Sequence, residues 1–250
     1  MTTSILDHPL ISQRYFFPRA ERFDDPFWVE VGAVRLGCYF HRPHPGAKTI
    51  VHFHGNGEIV ADYLGGFVAI VERLGYNCFL AEFRGYGMSS GTPALGRMLD
   101  DVAPLLRATG QPEQELVLFG RSVGSLFAIH AASLFPKVAG LILESAVADP
   151  LERLLLRVSP RELGVSPAAL EAEVAARLDH RRKLEAYAGP TLVMHTRNDG
   201  LVDVSHGERL HRWAGGEKSL KIFPRGNHND IMAVNAREYF ALVQGFMHAL

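Results

Sequence analysis

Three residue types, well separated along the chain, carry the capacity for acyl-transfer chemistry. Ser122 lies in Gly120-Arg121-Ser122-Val123-Gly124, after the apolar run Leu116-Val117-Leu118-Phe119 and before Ser125-Leu126-Phe127-Ala128-Ile129. G-x-S-x-G between a strand-like and a helix-like segment is the pattern of a nucleophile elbow. The glycines leave room for a tight, strained turn that aims the serine hydroxyl out of the sheet. The pentapeptide alone also fits an ordinary strand-to-helix turn, so its partners decide. A serine hydroxyl needs a base, an orienting acid and donors for the developing oxyanion. His228 is the expected base, since it follows the last strand pattern in the loop Pro224-Arg225-Gly226-Asn227. His195 lies inside a strand pattern and His206 opens a helix pattern, so both fit less well. Asp199 is the expected acid, in the loop after Thr191-Leu192-Val193-Met194-His195. Asp149 is the other serious candidate, and Asp203 reads as a helix-start residue. The backbone N–H of Val123, next after the serine, is one expected oxyanion donor.

These residues need a frame. Trp28–Val31 and Arg35–Phe40 around Gly32-Ala33 read as a hairpin. After it, strand and helix patterns alternate: strand 49–54, helix 58–74, strand 76–83, helix 95–108 through Pro104, strand 116–120 and helix 122–135. Strand 138–143, strand 191–195, helix 204–213, strand 220–223 and helix 230–248 complete the series. Continuous apolar strands of this kind fit a mostly parallel sheet covered by helices on both faces, an α/β fold. Sites in such sheets form at the carboxyl ends of the strands, where Ser122, Asp199 and His228 all fall. Residues 1–27 read as an irregular lead-in, with Tyr15, Phe16 and Phe17 packed on the body. Residues 149–188 break the rhythm and read as two or three short helices.

The bulk composition excludes several classes. Formal net charge is −1 over 250 residues, so no global field favours nucleic acid or an acidic membrane. No run approaches the roughly 18 apolar residues of a membrane span, and the amino-terminal stretch has no signal-peptide pattern. Cys38 and Cys78 sit in strand patterns and read as buried free thiols, which suits a reducing compartment. A cytoplasmic enzyme without a cofactor is the resulting expectation. His52 and His54 alternate on one strand, but no third ligand has sensible spacing, and no metal is expected.

The order Ser122, Asp199, His228 and three further motifs resemble the α/β-hydrolase superfamily. The motifs are His54-Gly55-Asn56, Arg84-Gly85-Tyr86-Gly87-Met88-Ser89 and Asn227-His228-Asn229-Asp230. They are most similar to the branch of BEM46-like and ABHD-type serine hydrolases, over roughly residues 30–250. The resemblance implies an α/β-hydrolase fold, a Ser122-His228-Asp199 triad, and Asn56 as second oxyanion donor beside Val123, with Gly57 a weaker substitute. His54 matches a structural histidine of that branch. Glu82 stands where the branch usually carries aspartate, and Asn227 where it carries glycine before the histidine.

The expected organisation is one domain over 1–250, with 149–188 a small helical cap. Leu151, Leu154, Leu155, Leu156 and Val158 either line an acyl pocket or cover the sheet. Arg121 reads as an ion-pair residue under the loop, with a substrate-carboxylate contact as the other reading. The expected reaction is hydrolysis of a small-molecule or acyl ester or thioester. Two alternatives stay open. One is a peptidase of the same fold, for which Glu152, Glu162, Glu171 and Glu173 offer acidic groups. The other is a non-catalytic binding module. The sequence does not speak to oligomeric state.

Overall fold

The computed structural model describes residues 4–250. Met1 to Thr3, the start of the stretch read for leader features, lie outside the described residues. Eight strands form one sheet in the order β1-β2-β4-β3-β5-β6-β7-β8. They are β1 (Phe27–Val31), β2 (Val34–His41), β3 (Thr49–Phe53), β4 (Asn77–Ala81), β5 (Leu116–Arg121), β6 (Gly140–Glu144), β7 (Thr191–Thr196) and β8 (Lys218–Phe223). The β1–β2 hairpin turns on Gly32-Ala33, with Gly32 at φ 58°. That left-handed position suits a two-residue hairpin turn. β2 runs antiparallel to β4, and from β4 to β8 every pairing is parallel.

Alternation along the parallel strands builds two cores. Val51, Phe53, Leu116, Leu118, Leu141 and Leu143 face one side. Ile50, Val117, Phe119, Ile142, Leu192 and Met194 face the other. Each such side chain contributes roughly 1.5–3 kcal/mol on burial, and a one-residue slip would exchange the two faces. The helices that cover them are α1 (Pro9–Tyr15), α2 (Phe67–Arg73), α3 (Leu95–Ala108), α4 (Gly124–Leu134), α5 (Pro150–Leu155), α6 (Pro167–Leu178), α7 (His180–Ala186), α8 (Val204–Trp213), α9 (Ile231–Val234) and α10 (Ala236–His248). The first face carries α3 and α4, and the second carries α2 and α10.

The chain leaves β3 for β4 on one side, then returns to place β5 on the other. A crevice therefore opens at the carboxyl ends of β3 and β5, where the strand order reverses. The turn Gly55-Asn56 follows β3 and Ser122 follows β5, so both border that crevice.

Four expectations need correction. Residues 58–74 are not one helix. A 3-10 turn (Val60–Tyr63) and α2 are separated by Leu64-Gly65-Gly66, because adjacent glycines disfavour a continuous helix. The lead-in is not irregular throughout, since it holds a 3-10 turn (Ile5–Asp7) and α1, started by His8 and Pro9. Tyr15 and Phe16 are buried as expected, but Phe17 is 46% exposed. The last helix is divided at Asn235, whose side-chain amide donates to the Arg225 and Ile231 carbonyl oxygens and diverts the backbone.

Between β6 and β7, Asp149 and Ser166 cap α5 and α6, each followed by a proline at the first helical position. α7 packs on α4 and α8, so of the three helices α5 alone contributes to the rim of the crevice. Among the described residues, no helix is long and apolar enough to cross a membrane. Cys38 and Cys78 are buried and unpaired.

Candidate active site

Ser122 adopts φ 50°, a left-handed conformation that is uncommon for a residue with a side chain. The turn persists because its surroundings hold it on both sides. The Ser122 N–H donates to the Glu144 carbonyl at 2.9 Å. Ser125 Oγ donates to the Ser122 carbonyl at 2.6 Å and accepts from the Val147 N–H at 3.0 Å. A methyl group on Gly124 would strike the Phe53 carbonyl and lie 2.6 Å from that of His54. One on Gly120 would lie 2.7 Å from Ala128 Cβ. Glycine is required at both positions because β3 and α4 pass that close. The amino terminus of α4, with its partial positive charge, stands directly behind the serine.

The Ser122 hydroxyl lies 2.8 Å from His228 Nε2, and His228 Nδ1 lies 2.8 Å from Asp199 Oδ2. All three residues are buried. With Nδ1–H donated to the carboxylate, the Nε2 lone pair faces the hydroxyl. Asp199 Oδ1 accepts from the Leu201 and Val202 N–H groups at 2.9 and 2.8 Å. Burial opposes the charge on Asp199, but hydrogen bonds from His195, His228 and the Val202 N–H outweigh it and hold the carboxyl well below its usual range. The fold therefore favours the carboxylate form of Asp199. His195 is no rival base. Its Nε2 lies 2.9 Å from the Val202 carbonyl and 3.3 Å from Asp199 Oδ2, beneath the acid.

The other candidates have separate duties. Asp149 caps α5 through the Glu152 N–H. Asp203 caps α8 through the Ser205 N–H. His206 accepts from the Ala148 N–H at 3.0 Å and turns its other nitrogen to Glu152. In the histidine loop, Gly226 takes the positive φ, 87°. Asn227 bonds Asp230 through its N–H and side-chain amide, so asparagine here ties the loop together.

Asn56 and Val123 line the same cavity as Ser122 and His228. Neither backbone N–H has a hydrogen-bond partner among the described residues. The Asn56 side chain is clamped. Its Oδ1 accepts from the Phe17 N–H at 3.1 Å and the Tyr86 hydroxyl at 2.9 Å, and its amide donates to the Tyr15 carbonyl. The lead-in thus fixes the turn after β3, a role that a local sequence pattern does not carry. His54 lies 2.7 Å from Glu82, whose other oxygen accepts from the Val60 N–H at 3.0 Å. Glu82 therefore serves as a buried structural carboxylate. His52 packs among Tyr63, Phe67 and Phe119 on the opposite face.

Arg121 is engaged by its own neighbours. Its guanidinium pairs with Glu58 and Glu144 and donates from Nη2 to the His228 carbonyl at 2.9 Å. Glu58 in turn accepts from the Gly55 N–H at 2.6 Å and the Tyr63 hydroxyl at 2.6 Å. One buried network therefore joins the turn after β3, the elbow and the histidine loop. It supports the ion-pair reading of Arg121.

The cavity over Ser122 has a volume of ≈ 280 Å³ and includes Tyr15, Phe17, Val147, Arg153, Arg157, Leu201 and Val202 in its lining. The acyl-pocket reading of the cap leucines does not match this lining. Leu154 and Val158 are buried beneath the rim, and Leu155 and Leu156 are 47% and 66% exposed. Arg153 and Arg157 face the cleft instead. A count of leucines in a short helix says nothing of which face meets the site.

The profile of the family described as Serine aminopeptidase, S33 matches residues 44–177. Alpha/beta hydrolase domain-containing protein 17C of Homo sapiens is 27% identical over 203 residues, 79% of this chain and 58% of that protein. The domain-containing protein aho-3 of Caenorhabditis elegans is 25% identical over 202 residues, 79% of this chain and 57% of that protein. The matches span about three fifths of the length of these curated relatives. Est1E of Butyrivibrio proteoclasticus, solved with ferulic acid, shares the fold at a TM-score of 0.75 and 16% identity, over 89% of this chain and 98% of its own. The Pyrococcus furiosus esterase Pf2001 does so at 0.70 and 16%, over 94% and 96%. The expected fold and the ABHD-type branch are thereby matched.

Proposed function

This chain belongs to the Serine aminopeptidase, S33 family of α/β-hydrolases, and we propose that within it this chain cleaves a carboxylic ester or thioester through a Ser122 acyl-enzyme. The observation that carries the reading is the continuous Ser122–His228–Asp199 hydrogen-bond chain, at 2.8 Å for each link, beside two unpartnered N–H groups in one cavity.

In this mechanism His228 Nε2 takes the proton from Ser122 Oγ as the oxygen attacks the carbonyl carbon. Asp199 holds the imidazole in the required tautomer and stabilises the imidazolium. The N–H groups of Asn56 and Val123 receive the oxyanion. Collapse expels the alcohol or thiol, which takes the proton from His228. Water, deprotonated by the same nitrogen, then attacks the acyl-enzyme and releases acid and free serine. The chain's own residues supply each proton transfer. Residues 149–188 act as the cap of a single domain, with α5 its working edge.

An aminopeptidase would need a carboxylate facing the substrate ammonium. No aspartate or glutamate lines the cavity over Ser122. Glu152 is engaged by His206 and Arg209, Glu162 by Arg14, and Glu173 by Ser4, while Glu171 is exposed and outside the cavity lining. The ester reading also agrees with the solved neighbours that are an esterase of Pyrococcus furiosus and a monoacylglycerol lipase of Paleococcus ferrophilus.

Hydrolysis of p-nitrophenyl esters from acetyl to palmitoyl, with Ser122→Ala beside wild type, tests the proposal. The expected result is turnover of one part of the series and a loss of several orders of magnitude in the variant. Wild-type turnover in the variant would overturn it. Failure of both turnover and fluorophosphonate labelling would favour a binding module.

A further inference from the structure

We propose that Arg153 and Arg157 form an anion-selecting rim over Ser122, so that the preferred substrate is an ester or thioester bearing a carboxylate or phosphate. The proposal rests on the serine-hydrolase reading of the same cavity.

Both guanidinium groups belong to the cavity lining, together with Ser122 and His228. Neither is paired with a carboxylate among the described residues. The acidic groups on the same stretch are committed elsewhere. Asp149 and Glu152 face Arg209, and Glu162 pairs with Arg14 at 2.8 Å. Arg121, the third arginine of the lining, is consumed by Glu58 and Glu144. With no carboxylate in the lining, the rim presents two uncompensated positive charges to whatever enters.

The rim is also held in place. Leu154 and Val158, which alternate with the arginines, are buried. Arg14 donates to the Arg157 carbonyl at 3.0 Å, so α1 fixes the backbone at the end of α5. Arg157 lies over the Phe17 ring at 5.5 Å. Tyr15 lines the same cavity as both arginines; burial pushes its phenol up, and the charge and hydrogen bond of Arg153 and the charge of Arg157 work against that shift. A planar guanidinium matches carboxylate and phosphate oxygens through paired N–H donors. A neutral substrate leaves those donors to water.

Two matched pairs test the proposal. p-Nitrophenyl butyrate against mono-p-nitrophenyl glutarate places the added anion on the acyl side. Methyl 4-(butyryloxy)benzoate against 4-(butyryloxy)benzoate places it on the leaving group. One pair is expected to show a preference for the anion of roughly ten- to hundredfold in kcat/KM at low salt. That ratio should fall toward one in Arg153→Gln/Arg157→Gln and invert in Arg153→Glu/Arg157→Glu. Protection of Ser122 from a fluorophosphonate by glutarate or glycerol phosphate, against dimethyl glutarate or glycerol, gives the same comparison without turnover and tells carboxylate from phosphate. An enzyme that labels at Ser122 yet shows no anion preference in any pair, or keeps its ratio in the glutamate variant, overturns the rim alone. Absence of labelling overturns the serine-hydrolase reading and the rim with it.

Discussion

Arg121 Nη2 donates to the His228 carbonyl oxygen at 2.9 Å, joining the residue before Ser122 to the loop that carries the imidazole. The same guanidinium pairs with Glu58, which holds the Gly55 N–H, so the His228 loop and the turn after β3 share one anchor. Lysine keeps the charge but loses the fork of donors. Arg121→Lys is therefore expected to lower kcat by roughly ten- to a hundredfold, the range for small misplacement of reacting groups, with a smaller change in KM. Unchanged kinetics in a folded Arg121→Lys protein would remove Arg121 from the positioning network.

In the proposed mechanism Asp199 orients the imidazole, whereas Asp149 caps α5. Asp199→Asn keeps the shape but favours the wrong imidazole tautomer, and kcat is expected to fall by about 10⁴. Asn is as good an N-cap as Asp, so Asp149→Asn should stay within about twofold. Steady-state rates on one activated ester compare the two directly. Equal losses would contradict the assignment of the acid.

Gly124 stands where β3 and α4 leave no room for a methyl group. The obstruction is backbone carbonyl oxygen, which yields less easily than a side chain. Gly124→Ala is expected to destabilise the protein by about 3 kcal/mol, the upper end for overpacking, or roughly 6–12 °C in Tm for a chain of this size. Thermal unfolding followed by circular dichroism measures it, and an unchanged Tm would show that the elbow is looser than its geometry indicates.

His180 links acid pH to stability. Its Nδ1 bonds the Val147 carbonyl at 2.9 Å, its Nε2 has no partner, and burial with Lys183 nearby pushes its pKa down to about 3. The unfolded imidazole titrates near 6.5, so between these values the unfolded chain binds the extra proton. Stability from this group is complete above about pH 6.5 and is lost toward about pH 3, at about 1.4 kcal/mol per pH unit. His180→Asn should shrink the fall in Tm between about pH 7.5 and 5.5 by roughly 3–5 °C. An identical fall in the variant would mean that His180 does not remain neutral in the fold.

Much of the architecture was legible because its signals are local or periodic. The apolar runs around Val51, Leu118, Ile142 and Val193 announced buried parallel strands, and the glycines around Ser122 announced a turn with no room for side chains. The structure brings Ser122, Asp199 and His228 together at the strand ends where those patterns place them. What was not legible depends on distant contacts. α1 is too short for periodicity to reveal, and its purpose emerges only where Tyr15 and Phe17 grip Asn56. The leucines of 151–156 drew attention by hydrophobicity, whereas the side chains facing the cleft are Arg153 and Arg157. Which side of α5 meets Ser122 is set by the packing of Leu154 and Val158 and by Arg14, 143 residues away from Arg157.

The most direct test of the central claim is intact-protein and peptide mass spectrometry after reaction with a fluorophosphonate and, separately, after rapid quench with an activated ester. The account predicts one adduct per chain, mapped to Ser122, absent from Ser122→Ala and slow to form in His228→Gln. An adduct on another residue, or full ester turnover by Ser122→Ala, would contradict it.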